Sequence, residues 1–191
     1  MWKITDFKKP SDIRDLFNLI VPFEGCLRVS ETISIQRKHV QEFDDRFEIF
    51  FWRRKNDPKK LGHTVCFKKV RDPRVKSAAK VIAIVLKLIP KDPEQFLLFS
   101  VDAKGFPRKA GVSTTRAREL YKSSLAKILP SQKVEKMSTH SSKRGGCQQL
   151  WRKEDSGEVI DGHCGFKSVK SKMSYLDNLE LSQTASELLH M

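Results

Sequence analysis

Tyr175 follows, along the chain, an ordered set of groups able to attack a phosphodiester. Arg28 lies in Leu27-Arg28-Val29-Ser30-Glu31, and Lys55 lies in Arg54-Lys55-Asn56-Asp57. His140 opens His140-Ser141-Ser142-Lys143-Arg144-Gly145-Gly146, and Phe166, in Gly165-Phe166-Lys167-Ser168, stands nine positions before Tyr175. Transesterification of a phosphodiester needs an in-line nucleophile, which a phenol can provide with a covalent intermediate. It needs fixed cations at the non-bridging oxygens, where charge accumulates. It also needs a proton donor for the leaving 5′ oxygen. Arginines can supply the positive charge without a metal, and no Asp-x-Asp or similar carboxylate cluster is evident.

Each of these residues also has a structural reading. Tyr175 can be a core aromatic on an amphipathic helix, His140 a buried hydrogen-bonded histidine, and Arg28 a surface arginine at a helix start. Lys55 competes with Lys59 and Lys60 in a basic hairpin tip. The other tyrosine, Tyr121, lies on a different predicted helix without such neighbours.

The elements that must position these groups are mainly helical. Ser11 as N-cap, with Ile13, Leu16, Phe17, Leu19 and Ile20 on one stripe, predicts a helix over 11–24 closed by Gly25. A second helix is expected over 28–41. Residues 46–53, rich in Phe, Ile and Trp, read as a strand paired with 63–69. The Asn-Asp-Pro-Lys-Lys-Leu-Gly stretch between them is a hairpin loop with Lys55 at its mouth. Further helices are expected over 75–88, 113–129, 141–153, 157–163, 169–176 and 179–189, with a short extended segment at 96–101 and a basic turn region over 102–111. The expected fold class is therefore α+β and mainly α, with one small antiparallel sheet.

The charge is lopsided. The chain carries a net +14, yet from Glu154 onward it holds three basic and seven acidic side chains, so the preceding residues carry 34 basic and 16 acidic side chains, a net +18. Such a surface favours a polyanionic partner, although charge alone also fits a solvated basic face or a ribosome-associated protein. The longest apolar run, Val81 to Leu86, is too short to span a bilayer. The N-terminus lacks an apolar signal region, so the protein is not expected to be secreted. The four cysteines show no Cys-x-x-Cys pair, which points to neither a disulfide framework nor a zinc site. Reduced thiols suit the cytosol or the nucleus. Cys147, His163 and Cys164 can be imagined as metal ligands, but Cys147 reads as a small core residue on a helix, and no metal or other cofactor is expected.

In this order and spacing the residues resemble the catalytic domain of tyrosine recombinases, the phage-integrase family whose chemistry is shared with type IB topoisomerases. The resemblance runs from about residue 7 to residue 189. The pattern His140-Ser141-x-x-x-Gly145-Gly146, then Gly165-Phe166-Lys167-Ser168, then Tyr175, is most similar to the recombinases of eukaryotic mobile elements of the DIRS, Ngaro and Crypton types. The resemblance implies the DNA breaking-rejoining fold and strand cleavage through a 3′-phosphotyrosyl link, serving recombination or integration. By position it implies Arg28 as the first phosphate-binding arginine, with Glu31 as its support. It implies Lys55 as the acid toward the leaving hydroxyl, His140 as a proton-transfer and phosphate-contact residue, and Tyr175 as the nucleophile.

Two positions depart from the family pattern. Lys143 stands where the family has a second arginine, and a lysine lacks the planar fork that grips two oxygens. Arg144 is adjacent but is rotated by about 100° around a helix, so it is expected to face away. Phe166 stands where the family has His or Trp, and it cannot donate a hydrogen bond. These departures keep open a catalytically inactive DNA-binding protein, and a relaxing topoisomerase is a third reading.

Residues 1–191 are expected to form one catalytic domain without the N-terminal helical domain that completes the family's clamp, whether as a fragment or as a domesticated gene product. The expected partner is double-stranded DNA, contacted through Lys59, Lys60, Lys68, Lys69, Arg71, Arg108, Lys109, Arg116, Arg118 and Arg144. Residues 178–191 form a last helix expected to pack in cis or on a neighbouring subunit of a tetrameric synapse. The resemblance implies a nuclear location, or a cytoplasmic one in a prokaryote.

Overall fold

The computed structural model describes residues 1–52, 62–72, 74–153, 156–166 and 169–175. The expected roles of Lys55, Lys59 and Lys60, and the helix expected over 179–189, lie outside the described residues.

Helix α1, Pro10–Glu24, is the central element. Proline at its first turn starts it one residue before the predicted Ser11, because the missing N–H is not needed there. Its buried stripe of Ile13, Leu16, Phe17 and Val21 packs on α3, Ala78–Leu88, whose inner face is Ala78, Val81, Ile82 and Val85. On another side α1 meets α4, Thr114–Ala126, where the buried Asn18 amide donates to the Ala117 carbonyl at 2.8 Å. Each helix begins on a serine: Ser77 Oγ accepts from the Lys80 N–H, and Ser113 Oγ accepts from the Arg116 N–H.

Gly25 does not end α1 as the left-handed residue. That conformation falls to Cys26, with φ 49°, while Gly25 has φ −83°. Glycine is needed at 25 for space, since a Cβ there would lie 2.7 Å from the Phe67 ring.

The helix expected over 28–41 stops early. Helix α2 is Val29–Ile33, and the following residues form a 3-10 turn, Arg37–His39, and a strand, β1, Val40–Glu42. The backbone of this stretch is taken by a distant segment: Leu97 N–H donates to the Ile35 carbonyl and Arg37 N–H donates to the Gln95 carbonyl. A helix cannot continue once its carbonyls and amides are engaged elsewhere. Strand β1 pairs antiparallel with β2, Arg46–Phe51, which pairs antiparallel with β3, His63–Lys68. Phe47, Ile49 and Phe51 on β2, with Val65 and Phe67 on β3, turn one face into the core.

The basic stretch over 102–111 is more ordered than a turn. It belongs to a second hairpin, β4, Phe99–Val101, with β5, Pro107–Gly111, closed by Asp102 accepting from the Lys104 and Phe106 amides. A short helix α5, Ser131–Glu135, occupies what reads as a loop. Then follow α6, Thr139–Arg152, α7, Gly157–Cys164, and α8, Val169–Met173. Among the described residues no helix is long and apolar enough to cross a membrane.

The contact between α1 and α6 is a close one at Gly146. A Cβ on Gly146 would stand 2.1 Å from the Phe23 carbonyl oxygen and 3.1 Å from Cys26 Sγ. At Gly145 it would meet the Phe23 ring at 2.9 Å, a side chain that can yield. Alanine normally stabilises a helix interior over glycine by about 1 kcal/mol. Gly145→Ala is therefore expected to be near neutral. Gly146→Ala should lose about 1–3 kcal/mol through overpacking against backbone. Urea unfolding of the two variants measures the difference, and equal stabilities would contradict this account.

Candidate active site

Helix α6 starts at the site. Ser138 caps it, its Oγ accepting from the His140 N–H at 3.2 Å while its own N–H donates to Ser141 Oγ at 3.1 Å. This sets His140 in the first turn, with Lys143 three residues and Arg144 four residues further on the same side of the helix. All three point toward the segment carrying Tyr175. The Tyr175 hydroxyl is 3.2 Å from His140 Nε2. The Lys143 ammonium is 5.6 Å from the Tyr175 ring centroid, and an Arg144 Nη2 donates to the Ser174 carbonyl at 3.5 Å.

The environments of these groups differ. His140 is exposed, so it is not the buried structural histidine that its sequence also permits. Tyr175 combines both of its readings: its ring packs beside a small buried cluster formed by Cys26, Cys147, Ile160 and Cys164, while its hydroxyl meets His140. Phe166 packs against the Tyr175 ring at 5.3 Å between centroids and offers no donor. Lys143 is fully buried, and its Nζ donates to the Cys164 carbonyl at 3.2 Å and lies 5.4 Å from the Phe166 ring. Arg144, expected to face away, is the exposed cation of the pair and lies along the Tyr175 backbone.

Arg28 is the N-cap residue of α2 and is held at two points by the buried Glu31. Its backbone N–H donates to Oε2 at 2.7 Å, and its Nη1 pairs with Oε1 at 3.2 Å. The next residue, Val29, lines a small cavity together with Thr139, the neighbour of His140, and with Ser142. The starts of α2 and α6 therefore adjoin. His163 is turned to structural use. Its Nε2–H donates to the Glu24 carbonyl at 2.7 Å, and its own carbonyl lies 3.3 Å from His63 Nε2. It ties α7 to the end of α1 and to β3.

The cysteine cluster behind Tyr175 has uneven acidities. Hydrogen bonding with Cys164 and Cys26, aided by the nearby Lys143 charge, holds the Cys147 thiol below its ordinary range. Hydrogen bonding with Cys147 and burial push Cys26 and Cys164 up. Cys26 was not legible as a member of this group, since 121 residues separate it from Cys147 and no spacing signal links them.

The cations expected to meet DNA are spread over several elements. Lys68 and Arg71 are exposed at and beyond the end of β3, Arg108 on β5 and Arg118 on α4. Lys109 pairs with Asp92 at 2.6 Å, Arg116 with Glu119 at 3.0 Å, and Lys69 with Glu42 at 2.7 Å. Pairs of this kind at the surface are weak, because solvent and salt screen them.

No protein-family model and no curated protein matches the chain. Solved structures do. The XerH site-specific recombinase bound to a palindromic difH substrate, in a post-cleavage complex, superposes with a TM-score of 0.62 and 14% identity, over 93% of this chain and 46% of that one. The pre-cleavage complex of XerH with difH gives 0.59 and 15% identity, over 91% and 46%. A transposon Tn1549 integrase in complex with a circular intermediate DNA gives 0.51 and 13% identity, over 93% and 58%. The chain thus has the catalytic fold of the tyrosine recombinases, and it spans about half the length of the solved structures it matches.

Because Glu31 holds both the backbone and the side chain of Arg28, its loss should cost more than loss of the guanidinium. Glu31→Ala is expected to lower stability by about 1–3 kcal/mol. Arg28→Met keeps the backbone bond and should cost less. Chemical denaturation of the two variants tests this, and a larger loss for Arg28→Met would contradict the two-point support.

Proposed function

We propose that the chain is the catalytic domain of a DNA breaking and rejoining enzyme of the tyrosine recombinase family, with Tyr175 as nucleophile. The observation that carries this reading is the Tyr175 hydroxyl 3.2 Å from His140 Nε2, beside Lys143 and Arg144, in a fold of that type. The phenol oxygen attacks the scissile phosphorus, its proton passes to His140, and the bond to the 5′ oxygen breaks. The leaving oxygen takes its proton from a general acid, the role that the motif resemblance gives Lys55. Arg28 and Arg144 hold the non-bridging oxygens. A free 5′ hydroxyl then reverses the link without ATP.

The motif order around His140, Phe166 and Tyr175 supports a finer assignment to a eukaryotic mobile-element recombinase acting in the nucleus. The same resemblance supports work on double-stranded DNA within a tetrameric synapse, with the C-terminal segment as the exchanged element. A second reading, a DNA-binding protein without catalysis, is favoured by the full burial of Lys143 and by Phe166 in place of a donor.

A nicked duplex that traps the covalent intermediate distinguishes the two. The enzyme reading expects a protein–DNA adduct that disappears in Tyr175→Phe, whereas equal DNA binding with no adduct from the native chain would leave only the binder. Restoring a donor with Phe166→His should speed adduct formation by on the order of 10²-fold, the usual worth of one transition-state hydrogen bond. Gel-resolved single-turnover cleavage measures it, and an unchanged rate would remove Phe166 from the reacting centre.

A further inference from the structure

The thiols of Cys26, Cys147 and Cys164 come from three separate elements: the turn after α1, the middle of α6, and the last residue of α7. Their sulfurs all lie within 4.8 Å of one another, with Cys147 and Cys164 at 3.2 Å, and all three residues are fully buried. From this arrangement the geometry points to a structural site for a thiophilic metal ion of the zinc class, bound by Cys26, Cys147 and Cys164.

Three features of the fold favour such an ion. Zinc–sulfur bonds are about 2.3 Å, which places thiolates on one ion roughly 3.8–4.0 Å apart. The three sulfurs need only small shifts to reach that spacing. Cys26 takes the left-handed φ of 49°, uncommon outside glycine, and this conformation sends its side chain to the group. Gly146 leaves the room, since a Cβ there would crowd Cys26 Sγ at 3.1 Å. An odd number of thiols also suits a metal better than a disulfide, which would use two and leave the third.

Charge narrows the ion. Three thiolates and a divalent cation carry one net negative charge. The buried Lys143 ammonium, 3.2 Å from the Cys164 carbonyl, lies beside that charge, and buried charges persist where they are paired. Soft thiolates select zinc or monovalent copper among common metals. The divalent ion leaves the smaller charge to balance. Because the thiols are closed from solvent, the ion is taken up as the chain folds. It would brace the end of α1 next to Arg28, α6 carrying His140, and α7 just before Phe166. This assignment stands apart from the DNA chemistry, since an inactive binder would hold the same ion.

The test is metal analysis of the full chain purified under reducing conditions. About one zinc per chain is expected, resisting chelator in the native state and released in denaturant. Refolding with Co²⁺ should give the near-ultraviolet charge-transfer band of thiolate–cobalt bonds, a signature that needs no variant. Cys26→Ser, Cys147→Ser and Cys164→Ser should each weaken binding by more than the roughly 10–100-fold that loss of a mere supporting residue costs. Cys66→Ser, at an exposed cysteine outside the group, should leave it unchanged. Copper in place of zinc would keep the thiophilic site and overturn the charge argument. A folded chain that takes up none of these ions, or a Cys147–Cys164 disulfide in protein isolated with thiols blocked at lysis, would overturn the proposal.

Discussion

The approach of α6 to the end of α1 governs the rest of the structure. Gly146 lets the helix backbone lie against the Phe23 carbonyl at a distance that no side chain would allow. That contact brings the first turn of α6, with His140, beside the start of α2, with Arg28, through the shared cavity of Val29 and Thr139. It also presses Cys26 onto Cys147 and leaves a buried floor for the Tyr175 and Phe166 rings. Arg28 and His140, remote from each other in the chain, are thus drawn to adjoining helix starts by a glycine contact.

On this floor the cations divide their work by depth. Lys143 is buried under the aromatic rings, where its charge is weakly screened and acts on what lies around it. Arg144 lies in solvent along the Tyr175 segment, and Arg28 is partly buried and fixed by Glu31. An arginine at 143 would have to place its longer planar fork in the same closed space. Lysine at 143 is enclosed in the interior, while Arg144 keeps a guanidinium at the surface. Phe166 packs on the Tyr175 ring and offers no hydrogen-bond donor.

Much of this was legible in the residue order. A helical apolar stripe placed α1, a serine cap placed the start of α4, and richness in Phe, Ile and Trp placed β2 with β3 as its partner; α3 was expected as well. The region after Arg28 was misread as a long helix for a reason that no local pattern contains. Its backbone groups bond to Gln95 and Leu97, some sixty residues away. A supporting role for Glu31 came from the family resemblance, and the structure adds that it holds Arg28 at two points.

The sequence by itself determined which groups are present and which short-range geometry they can adopt: a histidine, two cations and a Gly-Gly pair on one helix, a phenol downstream, and an arginine beside its own carboxylate. These follow from spacing within single elements, where the helical repeat converts position into direction. Only the tertiary structure decided that the Tyr175 hydroxyl meets His140, that Lys143 is enclosed while Arg144 is not, and that Cys26 joins Cys147 and Cys164. Those outcomes depend on how closely whole elements pack, and that distance is set by the volumes of residues remote from one another in the chain.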